Sequence, residues 1–128
     1  MKDNRQNTGK KGEEQACLYL KSEGHRIIAR NWMHSHKEID IISIKDNVLH
    51  IVEVKSKTAP LSASPVLNVN RTKQRNLEIA TKAFLNSAAR NNLPQDLEVV
   101  FDVISIVFYE DKTTIEYYPQ AYIPTYVE

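Results

Sequence analysis

A chain of 128 residues, of which 41% are hydrophobic and 26% charged, has the length and composition of one folded domain. Its apolar runs are far shorter than the roughly 20 residues of a membrane-spanning helix, and the polar residues at its start lack the apolar stretch that is typical of a secretory signal. Its one cysteine, Cys17, cannot form an internal disulfide. We therefore expect a single cytoplasmic domain over 1–128 that binds no membrane, with irregular ends at about 1–8 and 119–128.

The net charge of +1 conceals an uneven distribution of charge along the chain. Residues 1–95 carry 16 Lys and Arg against 9 Asp and Glu, whereas residues 96–128 carry 1 against 7. A segregated basic portion can present a phosphate-facing surface, because attraction depends on the local field and not on the molecular sum. The alternative is that these charges cover two solvated faces.

The hydrophobic pattern predicts a helix, three strands, a second helix and two further strands. Thr8 is a candidate N-cap of the first helix, and Gly24 is placed to end it. Asp46 and Asn47 are typical of a hairpin turn, and Asn70 is a candidate N-cap of the second helix. The predicted elements are a helix over 8–23, strands over 26–33, 38–44 and 48–57, a loop over 58–69, a helix from Asn70 to about Asn91, and strands over 97–109 and 113–118.

Each predicted helix carries one charge on its apolar side. Glu13 lies on the stripe of the first helix, and Lys73 lies four residues before the start of the second stripe. Charges on inner faces favour a functional site, although Glu13 also suits the positive end of a helix and Lys73 can reach solvent along its aliphatic stem. The stripes are Ala16, Cys17 and Leu20 in the first helix, and Leu77, Ala80, Phe84 and Ala88 in the second.

Carboxylates interrupt two neighbouring predicted strands. Because residues two apart share a face of a strand, Glu38 and Asp40 are predicted to project together, and so are Glu53 and Lys55. Lys55 balances only one negative charge, so a hard divalent ion, Mg²⁺, held by Asp40 and Glu53 would offset the remainder. A structural cluster of ion pairs is the alternative. The opposite faces are predicted to carry Ile39 with Ile41, and Val52 with Val54.

An acid followed by Glu-x-Lys on the next strand resembles the motif of the PD-(D/E)XK nuclease superfamily. More narrowly, the ordered set of motifs resembles the bacterial YraN family, which is itself similar to archaeal Holliday junction resolvases. The resemblance covers nearly the whole chain, and the ordered combination is specific although Glu-x-Lys alone is weak. The matching stretches are Gly9–Glu13 with Ala16 and Leu20, Arg30–Trp32, Glu38–Asp40, Val52–Lys55, Lys73–Gln74, Phe101–Val103 and Ala121–Tyr122.

This resemblance implies a restriction-endonuclease-like α/β fold, with a mixed five-stranded sheet flanked by helices in the order α-β-β-β-α-β-β. It also implies a DNA endonuclease that hydrolyses phosphodiester bonds with Mg²⁺ or Mn²⁺, and branched DNA is a candidate substrate. The implied site consists of Asp40 and Glu53 as metal ligands, Lys55 as the catalytic lysine, Glu13 as an auxiliary acid, the backbone carbonyl of Val54 as a further ligand, and Glu38 as an additional candidate. The residues expected to contact nucleic acid are Arg71, Lys73, Gln74 and Arg75.

Two other classes of function are compatible with the same sequence. A non-catalytic nucleic-acid-binding module would use the basic portion and need no metal. A protein-interaction module would use the acidic C-terminal third or its tyrosines, namely Tyr117, Tyr118, Tyr122 and Tyr126. A homodimer is compatible with the sequence as well. Asp102, in a strongly apolar predicted strand, is expected to be structural, with hydrogen bonds to backbone or to a basic side chain.

Overall fold

The computed structural model describes residues 4–60 and 69–122. Within these residues neither α-helix is long and apolar enough to cross a membrane. The helices are α1 (Asn4–Ser22), α2 (Arg71–Leu85) and a short 3-10 helix, η1 (Ala88–Asn92). The strands are β1 (Arg26–His34), β2 (Lys37–Lys45), β3 (Val48–Thr58), β4 (Glu98–Phe108) and β5 (Thr113–Tyr118).

The five strands form one mixed sheet in the order β1-β2-β3-β4-β5. β3 and β4 are parallel, and the other three neighbouring pairs are antiparallel. Parallel neighbours need a crossover connection, and α2 lies in the connection between β3 and β4. The predicted class, a restriction-endonuclease-like α/β sheet flanked by helices in the order α-β-β-β-α-β-β, is confirmed.

Each α-helix covers one face of the sheet, so the central strands are apolar on both faces. The α1-side core consists of Ala16, Cys17, Leu20, Ile41, Val52, Ile104 and Ile106. The α2-side core consists of Ile39, Ile42, Ile44, Leu49, Ile51, Val69, Leu77, Ala80, Phe84, Phe101 and Val103. The predicted helical stripes are therefore confirmed, except for Ala88, which is exposed.

The N-terminal end of α1 differs from the prediction. The helix begins at Asn4, so the predicted irregular start is wrong over residues 4–8 and Thr8 lies inside the helix instead of capping it. The hydroxyl oxygen of Thr8 lies 2.9 Å from that of Thr58 at the end of β3. This contact fixes the first turns of α1 to the sheet.

The C-terminal end of α2 also differs from the prediction. Asn70 caps the start of the helix as expected, but the helix ends at Leu85 and not at Asn91. Asn86 caps the helix end, and Ser87 then accepts a backbone hydrogen bond that begins η1. Residues such as Asn and Ser favour the end of a helix because their side chains can form hydrogen bonds with the backbone outside it.

The predicted turns have the backbone conformation that their residues favour. Gly24, after α1, has a φ of 91°, and Asp46 and Asn47 have φ values of 52° and 63°. Two positive φ values in a row are typical of the tight hairpin turn that joins β2 to β3. Residues 61–68 of the predicted loop and Tyr126 in the predicted irregular tail lie outside the described residues.

Candidate metal centre

β2 and β3 separate at Asp40. The first residue pair of their antiparallel ladder is Ile41 with Val52. Beyond that pair, Asp40 Oδ2 accepts a hydrogen bond of 2.9 Å from the backbone N–H of Val54. A buried backbone donor needs a partner, and here a side chain supplies it. Asp40, only 8% exposed, is thus held in the gap between the two strands.

The alternation of side chains along β2 is broken at the same point. Ile39 packs in the α2-side core and Ile41 in the α1-side core, so the prediction that they share a face is wrong. The β1–β2 ladder pairs Arg30 with Ile41 and Trp32 with Ile39, and Asn31 between them has a φ of 50°. The backbone therefore departs from regular strand geometry next to Asp40, which simple period-two patterning cannot anticipate.

Four carboxyl groups meet around this gap. Glu13 on α1, Glu38 and Asp40 each offer an oxygen, and these atoms lie within 4.8 Å of one another. Glu53 is close enough to Asp40 for a hydrogen bond between the two carboxyl groups. Burial, followed by the neighbouring Glu53 charge, raises the pKa of Asp40 to about 8, and the Val54 N–H opposes this shift. Concentrated negative charge is therefore unfavourable here without a proton or a cation.

Glu53 lies on the other side of β3 from Val52 and Val54, which contact the α1-side core. Its carboxylate is 9% exposed and lies 3.4 Å from Nζ of Lys73 near the start of α2. Glu53 Oε2 is nevertheless buried without a hydrogen-bond partner among the described residues. Such an atom is uncommon in folded proteins, and here the ammonium group of Lys73 lies beside this same oxygen as an ion-pair partner.

Asn31 is a site residue for which the sequence pattern predicted no role. Its Nδ2 donates to Glu13 Oε1 at 2.9 Å and to Glu38 Oε1 at 3.3 Å. One amide group thus joins the acid on α1 to the acid on β2. Asn adopts a positive φ more readily than most residues, and an Asn inside a strand was the available signal.

Gly12 is a second residue that the sequence pattern left without a role. A Cβ at this position would overlap Ser56 Oγ and lie 2.8 Å from Ser56 Cβ. The missing side chain therefore lets α1 cross closely over β3. This close crossing brings Glu13, the next residue of the helix, to the carboxyl cluster.

The residues predicted as the catalytic lysine and as nucleic-acid contacts differ in their surroundings. Lys55 is partly buried, and no described carboxylate lies within ion-pair distance of it. Lys73, not Lys55, is the cation on Glu53. Of the other residues of α2 predicted to contact nucleic acid, Arg71 and Arg75 are exposed. Gln74 instead donates to the carbonyl oxygen of Val69 at 2.6 Å.

Asp102 lies apart from the carboxyl cluster and is fully buried. Its Oδ2 is 2.5 Å from Nδ1 of His50 and accepts from the Tyr117 hydroxyl, and its Oδ1 accepts from the Gln120 N–H at 2.9 Å. The expected hydrogen bonds to backbone and to a basic side chain are present. Both oxygens of the carboxylate therefore have protein partners, which is a structural arrangement.

The topology of the sheet and the acidic gap between its central strands define a protein of the restriction-endonuclease-like α/β class. The model of "Uncharacterised protein family UPF0102" matches residues 12–106. The chain therefore belongs to this family, UPF0102 (YraN), and the predicted family is confirmed.

Curated relatives match over most of their length and of this chain. A UPF0102 protein of Chloroherpeton thalassium is 38% identical over 104 residues, which cover 81% of this chain and 78% of the relative. One from Flavobacterium johnsoniae is 32% identical over 114 residues, covering 89% and 92%. One from Phocaeicola vulgatus is 35% identical over 116 residues, covering 91% and 92%. These names assign a family and no activity.

Proposed function

We propose that this protein is a metal-dependent nuclease that hydrolyses phosphodiester bonds of nucleic acid. The observation that carries the proposal is the buried Asp40 carboxyl, which lies among three other carboxyl groups at the gap between β2 and β3. Perturbed carboxyl clusters in clefts favour functional sites. The resemblance of Glu53-x-Lys55 to the motif of the PD-(D/E)XK superfamily supports the same chemistry.

The donor set fits a hard divalent ion. Glu13, Glu38 and Asp40 offer three oxygen ligands at close range. Glu53 Oε2, which lies beside Lys73 Nζ, is buried without a hydrogen bond among the described residues. Carboxylate oxygens suit Mg²⁺ or Mn²⁺, whereas softer ions prefer sulfur and imidazole. Asp40 and Glu53, with the carbonyl of Val54, would hold the ion, and Glu13 or Glu38 would hold a second ion or its waters.

The chain's own residues would divide the reaction between them. A bound divalent ion polarises the scissile phosphate and lowers the pKa of a water molecule. Lys55, two residues beyond Glu53, would orient the attacking water and offset negative charge on the phosphorane. Asn31 would keep Glu13 and Glu38 in place through its two hydrogen bonds.

The start of α2 provides the phosphate contacts in this proposal. Its first turn contains no acid. Arg71, Lys73 and Arg75 lie there in sequence, and Lys73 lies beside Glu53. The N-terminal end of a helix favours anions as well. These contacts would be independent of base sequence and sensitive to salt. They suit DNA or RNA, and DNA, including branched DNA, is the substrate that the family resemblance favours.

The decisive experiment is a cleavage assay on labelled linear, flap and four-way DNA, and on RNA, with Mg²⁺, Mn²⁺ or EDTA. We expect cleavage with either metal and none with EDTA. Asp40→Asn and Lys55→Ala should each abolish cleavage. Asp46→Asn makes the same chemical change as Asp40→Asn in the exposed β2–β3 turn and should cleave like the wild type.

Two results would overturn the proposal. Cleavage that survives Asp40→Asn would exclude the metal centre. Wild-type binding of nucleic acid without cleavage in any metal would favour the non-catalytic module, for which the exposed Arg71 and Arg75 are the supporting observation. Lys73→Ala should weaken binding in either case, because it removes a phosphate contact.

A further inference from the structure

A cavity of about 750 Å³ lies beyond the carboxyl cluster, where the first turns of α1 cross the ends of β3 and β4. Its volume is in the range of pockets that bind small ligands or parts of larger ones. Among its lining residues are Asn7, Thr8, Lys11, Lys57, Thr58 and Tyr109. None of the described residues that line it is acidic.

The cavity is cationic. Lys11 comes from α1 and Lys57 from β3, and no described carboxylate lies within ion-pair distance of either ammonium group. Thr8 on α1 and Thr58 on β3 also line the cavity, and their hydroxyl oxygens lie 2.9 Å apart. Two lysines and two threonines among the lining residues suit a phosphate anion.

The cavity also has an aromatic wall. Tyr109 is 40% exposed, and Nζ of Lys112 lies 5.4 Å from the centre of its ring. Glu110 and Asp111 follow Tyr109 in the same turn, but neither lines the cavity. A partly exposed ring beside cations is the combination that stacks a base while its phosphates are neutralised.

The cavity adjoins the carboxyl cluster through two elements. Lys11 precedes Gly12, the residue at which α1 touches Ser56, and Glu13 of the cluster follows it. On β3, Ser56 and Lys57 lie three and four residues after Glu53. A nucleic-acid strand that leaves the cluster along the α1 face of the sheet therefore meets this cavity next.

We infer that the cavity is a second nucleic-acid site, which holds the phosphates and one stacked base of a single strand next to the carboxyl cluster. The choice of a nucleic acid as ligand rests on the proposed function. A single strand fits better than a duplex because a concave pocket with a ring can accept an unpaired base. Lys11 and Lys57 bind its phosphates, and Tyr109 stacks on the base.

The test uses a fluorescein-labelled oligodeoxythymidylate of about ten nucleotides, with binding measured by anisotropy in EDTA at several salt concentrations. The variant Lys11→Ala with Lys57→Ala should bind about tenfold more weakly, and its slope of log affinity against log salt should fall by about 1.4, because each phosphate contact on a single strand contributes about 0.7. The matched control, Lys21→Ala with Lys45→Ala, removes the same charge from exposed positions outside the cavity and should change neither quantity by half as much.

The aromatic wall has its own pair of variants. Tyr109→Ala should weaken binding about tenfold with no change of salt slope, because stacking releases no counterions. Tyr109→Phe keeps the ring and should bind like the wild type. If the control variant at Lys21 and Lys45 weakens binding as much as the cavity variant at Lys11 and Lys57, the attraction is non-specific and the inference is wrong. Wild-type binding by Tyr109→Ala would also overturn it.

These results are separable from the fate of the proposed function. Binding in EDTA needs neither metal nor cleavage, so the lysine and Tyr109 variants report on the cavity whether or not the protein is a nuclease. Cleavage that survives Asp40→Asn would refute the metal centre and leave the cavity result intact. A thermal unfolding measurement on each variant identifies misfolding. If the double variant fails to fold, the single change Lys57→Ala replaces it and should reduce the slope of log affinity against log salt by about 0.7.

Discussion

Replacement of Asp40 by asparagine is expected to stabilise the metal-free protein. Asparagine retains an oxygen that can accept the hydrogen bond from the Val54 N–H, but it places no charge beside Glu53. The folded-state pKa of Asp40, about 8, lies above the ordinary value of 3.8. The stability that arises from protonating Asp40 is therefore fully present below pH 3.8 and is lost as the pH rises through 8.

The magnitude follows from the size of this shift. Each unit of pKa shift corresponds to about 1.4 kcal/mol, so the wild type loses at most about 4 kcal/mol between about pH 4 and pH 7. Relaxation around a buried charge and entry of water reduce this loss. We therefore expect the free energy of unfolding of Asp40→Asn to exceed that of the wild type by about 1 to 3 kcal/mol at about pH 8. The advantage should shrink toward about pH 5.

Urea unfolding in EDTA at both pH values measures this difference. Asp40→Ala is the matched control, since it removes the same charge but leaves the Val54 N–H without its acceptor, at a cost of about 1 to 3 kcal/mol. Added Mg²⁺ should then raise the midpoint of the wild type and leave that of Asp40→Asn unchanged. A variant Asp40→Asn that is less stable than the wild type at about pH 8 would refute the reasoning, and so would equal stabilisation of both proteins by Mg²⁺.

Three further changes test the surroundings of the cluster. Asn31→Gly keeps the positive φ but removes the amide, so it should weaken Mg²⁺ binding about 10- to 100-fold in calorimetry, with little loss of stability. Gly12→Ala should push α1 from β3, lowering the free energy of unfolding by about 1 to 3 kcal/mol and slowing cleavage. Asp102→Asn should lower unfolding free energy by about 1 to 3 kcal/mol and leave Mg²⁺ affinity intact; weaker Mg²⁺ binding at unchanged stability would contradict its structural role.

The arrangement of the elements was predictable because local signals and burial agree over most of the chain. Gly24 and the Asp46–Asn47 turn separate segments whose periodicity is clear, and both cores lie where the apolar stripes indicate. The start of α1 was missed because residues 4–8 are polar and carry no apolar stripe. The end of α2 was missed because apolar periodicity continues past Asn86, where side-chain capping overrides it.

Of the candidate site, the sequence could predict which charged residues take part but not how the backbone arranges them. A carboxylate in an apolar strand is visible in sequence, which identified Asp40 and Glu53 as candidates. The break in the alternation of β2 is not visible, because it accompanies the irregular backbone at Asn31 on the neighbouring strand and the loss of pairing to β3. The cavity with Lys11 and Lys57 was equally hidden, since its walls come from elements distant in sequence.

One carboxyl group connects the stability of the sheet to the proposed chemistry. Where the β2–β3 ladder ends, Asp40 takes the place of a backbone acceptor for Val54. The same position buries the carboxyl group between Glu13 and Glu53, which raises its pKa. A neutral acceptor would satisfy the backbone equally well without this repulsion. An acid at this point is therefore not explained by the needs of the fold alone, and it supports the proposed metal centre.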